Sequence, residues 1–279
     1  MADLKELGAR FRALHEAPAP FVIPNVWDGG SAAIMSALGF KALATSSSAC
    51  AATLGRLDGQ ITREQALGHG RLIASLSPCP VAADLENGFG DSPAAVAETI
   101  SLAAATGLVG GSIEDASTDP DRPIYDMGQA VERVAAAVAA ARRLPFSFTL
   151  TARAENFLHG RADLDDTIRR LQAFERAGAD VLFAPGLPDL AAVRAVCSAV
   201  GKPVNFMIGM RGKSFALADL AAAGVKRISL STSLYRAAMT AVLAVAREVN
   251  DAGTFGYVDS LVGGDQLGRY LGDLVAPGG

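Results

Sequence analysis

Cysteine is scarce in this sequence, since the 279 residues include only Cys50, Cys79 and Cys197, which lie far apart. An odd number at this spacing argues against a disulfide framework and a cysteine-based zinc site, and it is typical of a reducing compartment. The N-terminal residues lack the apolar core of a signal peptide, and charges interrupt the Ala-rich segments too often for a membrane span. We therefore expect a cytoplasmic protein with no membrane partner.

Positive charge is also limited. The 25 Lys and Arg residues are outnumbered by 29 Asp and Glu, which gives a net charge of -4, and no basic blocks occur. This balance argues against nucleic acid as a partner. Aromatic residues make up 6% of the chain and hydrophobic residues 50%, a composition typical of a protein with a large aliphatic core.

What the sequence does contain is a repeated alternation of short apolar runs with longer Ala- and Leu-rich segments of helical spacing. This alternation predicts parallel strands joined by helices, and eight such units without a linker favour a (β/α)8 TIM-type barrel of the α/β class. The strands are expected at 21–28, 41–47, 80–86, 110–116, 146–155, 181–186, 203–209 and 227–232. An open doubly wound sheet is the alternative, but the glycine-rich "GLVGGSIED" lacks the G-x-G-x-x-G order and leads into a strand.

Three regions are expected from this pattern. Residues 1–20 form an N-terminal helix, residues 21–250 form the barrel, and residues 251–279 form a helical tail. The tail has weak periodicity and much glycine, so we expect it to pack on the barrel or on a neighbouring subunit.

Acidic side chains follow the third and fourth predicted strands. Asp84 and Glu86 are two residues apart, so strand alternation would place them on one side, and Glu114 follows the next strand. Unneutralised carboxylates at the mouth of a barrel would repel one another and would be costly to desolvate. Their oxygen atoms suit Mg²⁺ or Mn²⁺, and the lack of nearby His or Cys argues against zinc.

A single acid after a strand is more often a helix cap, but three acids from adjacent strands favour a metal site. Arg153 ends an otherwise neutral strand, where it either grips an anionic ligand or pairs with an acid. Asp115 and Glu155 are open to pairing with Arg153 or a neighbouring helix. Thr45, Ser46 and Ser47 close the second predicted strand, where they either donate to an anion or form a turn of small residues. The remaining polar candidates are Asp58 in the loop after that strand, His159 four residues past Glu155, and Asn205 in the seventh strand.

Five segments, "PNVWDGGSA", "TSSSACAATLGRLDG", "ADLENGFGD", "SIEDA" and "TARAE", occur in an order and at intervals that resemble the isocitrate lyase/phosphoenolpyruvate mutase superfamily. The resemblance extends from about residue 21 to about residue 241. It implies an α/β barrel assembled as a tetramer, a dimer of dimers, with the last barrel helix swapped between subunits. It also implies a Mg²⁺ site that acts on 2-oxo acids or their enolates.

The resemblance also implies roles for individual residues. Asp84 would be the acid nearest the metal, with Glu86 and Glu114 reaching it largely through water. Thr45, Ser46 and Ser47 would bind a substrate carboxylate, Asp58 would lie near metal and substrate, and Arg153 would hold substrate oxygen atoms. The candidate catalytic residues are thus Arg153, Asp58, Glu114 and His159, and Asn205 joins the substrate-binding set.

The loop after the fourth strand departs from the family pattern. Isocitrate and methylisocitrate lyases carry a Lys-Lys/Arg-Cys-Gly-His motif there and the phosphonate-forming mutase a Lys-Thr-Asn-Ser run, but this loop has the sequence "DASTDPDRPIYDM". We therefore expect a Mg²⁺-dependent lyase for a small 2-oxo or 2-hydroxy (di)carboxylic acid. Oxaloacetate-type decarboxylation or C–C cleavage through an enolate is the simplest case. The alternatives are a phosphonopyruvate mutase or hydrolase, and a non-catalytic protein that binds 2-oxo acids.

Overall fold

Eight parallel strands form a single sheet in the order β1-β8-β7-β6-β5-β4-β3-β2 in the computed structural model, which describes residues 3–275. A parallel bridge between Asn25 and Ala44 joins the two edge strands and closes the barrel. The predicted (β/α)8 fold is confirmed. The strands are β1 Phe21–Ile23, β2 Leu43–Ala44, β3 Val81–Asp84, β4 Gly110–Glu114, β5 Thr149–Arg153, β6 Val181–Phe183, β7 Val204–Met207 and β8 Arg227–Ser229.

Helices alternate with the strands. They are α1 Leu4–Glu16, α2 Gly29–Ala37, α3 Ser47–Thr53, α4 Arg63–Leu76, α5 Pro93–Ala104, α6 Met127–Arg142, α7 Leu164–Arg176, α8 Leu190–Ala199, α9 Leu217–Ala222, α10 Ser233–Arg247 and α11 Gly264–Val275. A short π-helical turn at Glu248–Ala252 and a 3-10 turn at Gly256–Ser260 precede α11. The ends of the predicted N-terminal and tail regions, residues 1–2 and 276–279, lie outside the described residues.

The strands divide their side chains between two environments. On β5, Leu150 and Ala152 are completely buried among the helices that surround the barrel, whereas Thr151 and Arg153 line its interior. This alternation is expected for a strand with one face toward the barrel axis. The helix-facing residues supply the aliphatic core, and the interior stays polar and open to a ligand.

Helix α1 covers the amino-terminal end of the barrel. Its Phe11 is fully buried, and a side chain at Gly110 would meet the Phe11 ring at 2.7 Å. Glycine at this first position of β4 therefore allows the ring to pack under the barrel. The end of the barrel opposite the carboxyl ends of the strands is closed by this contact.

All eight strands are shorter than the sequence predicts, and at the first two the difference changes the role of a polar residue. The first ends at Ile23, and Asp28, which was expected to close it, instead caps α2 by accepting a hydrogen bond from the Ser31 N–H at 2.7 Å. The second ends at Ala44, and Ser46 caps α3 through the Ala49 N–H. Both corrections have one cause, because short oxygen-bearing side chains satisfy the free N–H groups of a first helical turn.

Helix α10, the helix of the eighth β/α unit, has no buried residue in the single chain. Its Val242 and Leu243 are more than half exposed. A barrel helix normally covers its sheet with such a face, so this apolar surface is unpartnered within the described residues.

None of the helices that the structure describes is long and apolar enough to cross a membrane.

Candidate active site at the carboxyl ends of the strands

Arg153, the last residue of β5, forms the centre of an ion-pair network. Its Nη1 atom lies 3.1 Å from Asp84 Oδ1 on β3 and 3.1 Å from Glu114 Oε2 on β4, and its Nε atom lies 2.8 Å from Glu155 Oε1. The side chains of Arg153, Asp84 and Glu114 are 12%, 19% and 17% exposed, so the network opens only to the barrel mouth. One buried cation thus offsets acids from three successive strands.

Asp84 is held from several sides. Ser47 donates to Asp84 Oδ2 through its hydroxyl at 3.1 Å, and the Asp84 N–H donates to the Thr45 hydroxyl at 3.0 Å. The Glu86 N–H donates to Asp84 Oδ1 at 3.3 Å. The "TSSS" segment and the "DLEN" segment are therefore joined at this carboxylate, as their positions after adjacent strands predict.

Glu86 reaches the site by a different route from the one predicted. The strand ends at Asp84, and Glu86 takes the left-handed conformation with φ of 49°, so strand alternation does not set its direction. Burial, with the charges of Asp84 and Asp58, raises the pKa of Glu86 to about 7. Its Oε1 atom is buried and accepts no hydrogen bond from any residue in the described range. The following Asn87–Gly90 segment is a tight turn with Gly88 at φ of 84°.

The acids of β4 and β5 are strongly perturbed. Burial raises the pKa of Glu114, and the charge of Glu155 adds to the rise while Arg153 opposes it. Burial likewise raises the pKa of Glu155, again against Arg153. Crowded carboxylates in a poorly hydrated site hold protons more tightly than carboxylates in water. Such a site favours any added positive charge.

A cavity of about 200 Å³ opens beside this network, inside the barrel mouth. It brings together most of the predicted site residues: Thr45, Ser46, Ser47, Asp58, Asp84, Arg153 and Asn205. An adjoining cavity contains Glu86, Glu114 and His159, and shares Ser47, Asp58 and Arg153 with the first. All ten candidate residues therefore lie on one connected surface.

Two of these residues differ in depth. Asp58 lies on an exposed loop at the rim, where desolvation raises its pKa, the Ser47 hydroxyl lowers it and the Asp84 charge raises it again. Asn205 lies deep in the barrel, with its amide nitrogen donating to the Ser229 hydroxyl at 3.0 Å. Asn205 is 2% exposed, so only a ligand that enters the barrel interior reaches it.

Asp115 and Glu155, for which the sequence leaves the partner open, have different partners. Asp115 pairs with Arg170 of α7 at 2.8 Å and accepts the Glu155 N–H at 2.8 Å. Glu155 pairs with Arg153. Asp115 thus anchors a helix behind the site, whereas Glu155 belongs to the network itself.

Besides Arg170, the buried arginines Arg133 and Arg227 lie near the site, and no sequence pattern marks them as buried. Arg133, on α6, donates to the backbone oxygens of Gly90 at 2.6 Å and Asp91 at 2.5 Å, and also to that of Asn87. It therefore fixes the turn that follows Glu86. Arg227, on β8, lies at the base of the 200 Å³ cavity.

The residues at the mouth suit a hard divalent cation. Within the part of the chain that the structure describes, no group of three or more His, Cys, Asp or Glu side chains is arranged to hold a metal ion, and Arg153 contacts both Asp84 and Glu114. The donors are nevertheless carboxylate oxygens, and the buried Glu86 Oε1 lacks a partner among the described residues. This donor set fits Mg²⁺ held by few protein ligands, with water completing its shell.

Comparison with known proteins agrees with this fold. The sequence model of phosphoenolpyruvate phosphomutase matches residues 11–250. The 2-methylisocitrate lyase of Escherichia coli strain K12 is 29% identical over 263 residues, which covers 90% of this chain and 87% of the relative.

Solved structures extend the comparison. A proposed lyase/mutase from Burkholderia cenocepacia J2315 has a TM-score of 0.94 and 50% identity, covering 99% of this chain and 97% of that chain. Oxaloacetate acetylhydrolase in complex with its product oxalate has a TM-score of 0.87 and 26% identity, covering 97% of this chain and 96% of that one. The chain belongs to the phosphoenolpyruvate phosphomutase family, within the isocitrate lyase/phosphoenolpyruvate mutase superfamily.

Proposed function

We propose that the protein is a Mg²⁺-dependent carbon–carbon lyase that acts on a small 2-oxo or 2-hydroxy (di)carboxylic acid through an enolate. Oxaloacetate-type decarboxylation and C–C cleavage are its simplest reactions. The observation that carries the proposal is the Arg153 network, in which one guanidinium faces a cavity and contacts Asp84, Glu114 and Glu155. The similar proteins include a lyase for 2-methylisocitrate and a hydrolase for oxaloacetate, so small acids of this class are the first substrates to test.

In this proposal Asp84 would hold the metal ion directly, and Glu86 and Glu114 would reach it largely through water. When bound, Mg²⁺ supplies a Lewis acid that stabilises negative charge on the 2-oxo oxygen; Mn²⁺ would serve similarly. The raised pKa values of Glu86 and Glu114 support this assignment, because added positive charge relieves the repulsion that raises them.

The substrate is held by polar groups around the ion. Thr45, Ser46 and Ser47 line the cavity beside Asp84. The Thr45 and Ser46 hydroxyls accept backbone N–H groups, which leaves their hydrogens to donate to a substrate carboxylate, whereas the Ser47 hydroxyl donates to Asp84. Arg153 donates to substrate oxygens as negative charge develops on them, which is the stage at which a fixed donor contributes most to the rate. Asp58 lies at the rim next to Ser47, on the solvent side of the cavity.

His159 is the proposed proton donor to the enolate carbon. It is half-buried and lines the cavity that contains Glu86 and Glu114. Tyr125 is less suitable, because its hydroxyl donates to Asp91 at 2.6 Å and its ring lies 4.2 Å from the Arg133 guanidinium. Burial also raises the pKa of Tyr125 to about 12.

The loop after β4 favours this reaction over the alternatives. Its ends are joined by an antiparallel bridge between Ala116 and Ile124, and its sequence contains no Cys, His or Lys. An isocitrate-type cleavage needs an acid/base group there, whereas decarboxylation needs no strong acid at the breaking bond. Mutase or hydrolase activity toward phosphonopyruvate is the second candidate function. The loop of this chain lacks the Lys-Thr-Asn-Ser run of the mutase, which counts against that candidate.

The test is a panel of 2-oxo and 2-hydroxy diacids incubated with the protein and Mg²⁺, with keto-acid products quantified. We expect turnover of at least one diacid and loss of that turnover with EDTA. Phosphorus NMR after incubation with phosphonopyruvate tests the second candidate. Tight binding of 2-oxo acids without turnover of any member would contradict a lyase and support a binding protein.

We also propose that the protein is a homotetramer, a dimer of dimers, in which α10 packs on the barrel of a neighbouring subunit. The support is the apolar face of α10, which no described residue of its own chain covers. This arrangement would bury Val242 and Leu243.

A further inference from the structure

Arg227 is buried inside the barrel with only neutral partners. Its Nε donates to Asn205 Oδ1 at 2.8 Å, one Nη to the Thr151 hydroxyl at 3.1 Å, and the other approaches His15 Nε2 at 3.4 Å. The residue is 6% exposed. These contacts fix the direction of the guanidinium but leave its charge uncompensated.

No carboxylate lies within ion-pairing distance of Arg227 in the described range, in contrast to Arg153 with its three acids. An arginine carries five N–H donors, and the three contacts of Arg227 use only one on each nitrogen. Burial and the nearby Arg153 charge lower the pKa of Arg227 to about 9, so the group is still charged at neutral pH. A buried cation without a counter-ion is costly, and an anionic ligand would remove that cost.

The cavity that contains Asp84 and Arg153 extends down to Arg227. Thr151 lies two residues below Arg153 on the same inward face of β5, and it accepts the Arg227 hydrogen bond. Asn205 and Ser229 complete this deep end of the cavity. A ligand seated on the mouth network therefore has a second, positively charged contact deeper in the barrel.

We propose that Arg227 binds a second acidic group of the substrate, so that the enzyme selects dianionic acids over monocarboxylic acids. This inference rests on the proposed function for the placement of the first acid group near Thr45–Ser47 and Arg153. The second group points down the barrel axis, where the spare N–H groups of Arg227 and the Ser229 hydroxyl receive it. Arg227 acts in binding and does not take part in bond breaking.

The test compares matched acids that differ only at the far end. The pairs are malate with 2-hydroxybutanoate and 2-oxoglutarate with 2-oxopentanoate, titrated calorimetrically with and without Mg²⁺. The wild-type protein should bind the diacid of at least one pair about tenfold or more tightly than its partner, the scale of a specific charge contact. Equal affinity within both pairs would overturn the proposal.

Two variants test whether Arg227 is the cause. Arg227→Gln should abolish the preference for the diacid and leave the affinity for the monoacid within about twofold. Asn205→Asp is the second variant, because it places a carboxylate at the Arg227 Nε contact and supplies the missing counter-ion without removing the arginine. It should fold at least as stably as the wild type and also lose the preference. The control is Arg143→Gln, at an exposed arginine directly after α6, and this variant should keep the preference for the diacid.

Retention of the diacid preference in folded Asn205→Asp would overturn the proposal. The outcome is separate from that of the proposed function, because the affinities measured without Mg²⁺ do not depend on turnover. An Arg227-dependent preference in a protein that turns over no member of the panel would uphold the subsite and refute the lyase. Turnover of a diacid, with no effect of either substitution on affinity, would uphold the lyase and refute the subsite.

Discussion

Arg153 Nη1 and Asp84 Oδ1 lie 3.1 Å apart, which places a cation directly beside the proposed metal ligand. The same nitrogen contacts Glu114 at 3.1 Å, so the guanidinium and a metal ion would share the same acids. Arg153 is thus the counter-ion of these acids, and its proposed role in binding substrate is separable from that role by experiment.

Replacing Arg153 with methionine should reduce turnover about 100-fold or more, because a fixed donor to developing charge is lost. It should also lower stability by roughly 3–5 kcal/mol, since buried carboxylates lose their cation. We expect Mg²⁺ to raise the melting temperature of Arg153→Met more than that of the wild type, because the ion no longer competes with the guanidinium. Arg142→Met, which removes a half-exposed arginine paired with Asp180, is the control. If Mg²⁺ raises the melting temperatures of Arg153→Met and the wild type equally, the ion and the guanidinium do not share these acids.

Removing the Asp84 carboxylate should abolish both Mg²⁺ binding and turnover. The expected result follows from its position as the acid held by Ser47 and Thr45 between the two segments of the mouth. Calorimetry with Mg²⁺ and a product assay on Asp84→Ala check the two effects. Asp121→Ala, at an exposed position of the loop after β4, should behave as the wild type. Full Mg²⁺-dependent activity in Asp84→Ala would show that the metal site lies elsewhere.

Arg133 is expected to act as a positioning residue for the turn that follows Glu86, a proposed metal-site residue. Because it donates to the backbone oxygens of Asn87, Gly90 and Asp91, Arg133→Met should lower stability by about 3–5 kcal/mol. It should also weaken Mg²⁺ binding while leaving KM for substrate at saturating Mg²⁺ nearly unchanged. Calorimetry and the Mg²⁺ dependence of the rate measure these effects, and Arg143→Met, at an exposed position directly after the same helix, is the control. A stable variant with wild-type Mg²⁺ affinity would exclude the positioning role.

The sequence predicts the barrel and the identity of its polar mouth better than the local geometry of the site. Strand and helix alternation repeats eight times, so the fold does not depend on any single segment. Asp84, Glu114 and Arg153 lie close together because each ends one of three adjacent parallel strands. Glu86 was expected on an alternating strand, but its conformation depends on a turn held by Arg133, and the Arg133–Asn87 contact spans 46 residues of sequence.

Arg227 shows the same limit. Nothing in "KRISLST" separates a buried arginine from a surface one, because its partners His15, Thr151 and Asn205 come from three other parts of the chain. At Asp28 the difficulty is different, because one sequence pattern fits two structures. An acid that ends a strand and an acid that caps the next helix are the same residue type at the same place in the sequence. Sequence patterns therefore locate the functional face, and nonlocal packing decides what each charge on it contacts.

His15 should make the protein less stable in acid. Its Nδ1 lies 2.9 Å from the Phe11 carbonyl oxygen and its Nε2 faces Arg227, so the ring is neutral, with the proton on Nδ1. Burial and the Arg227 charge lower the pKa of His15 from 6.5 to about 3. The unfolded chain thus binds a proton below pH 6.5 that the folded chain does not, and stability falls as the pH drops from 6.5 toward 3.

At pH 5 this difference amounts to roughly 2 kcal/mol. Urea unfolding at pH 7.5 and pH 5 measures it. His15→Gln, which has no group that titrates in this range, should lose less stability between the two pH values than the wild type, whatever its stability at pH 7.5. The same pH-dependent loss in both proteins would show that His15 does not contribute.

The apolar face of α10 should determine the oligomeric state. Leu243 is 56% exposed in the single chain, so in the proposed tetramer it lies against a neighbouring barrel. Leu243→Glu would bury a charge at that contact, and we expect this variant to have a lower molar mass by light scattering than the wild type. Leu217→Glu on α9 is the matched control, because Leu217 is 51% exposed on a helix that completes its own barrel. A monomeric wild type, or a Leu243→Glu variant that keeps the wild-type mass, would contradict the proposed exchange of α10.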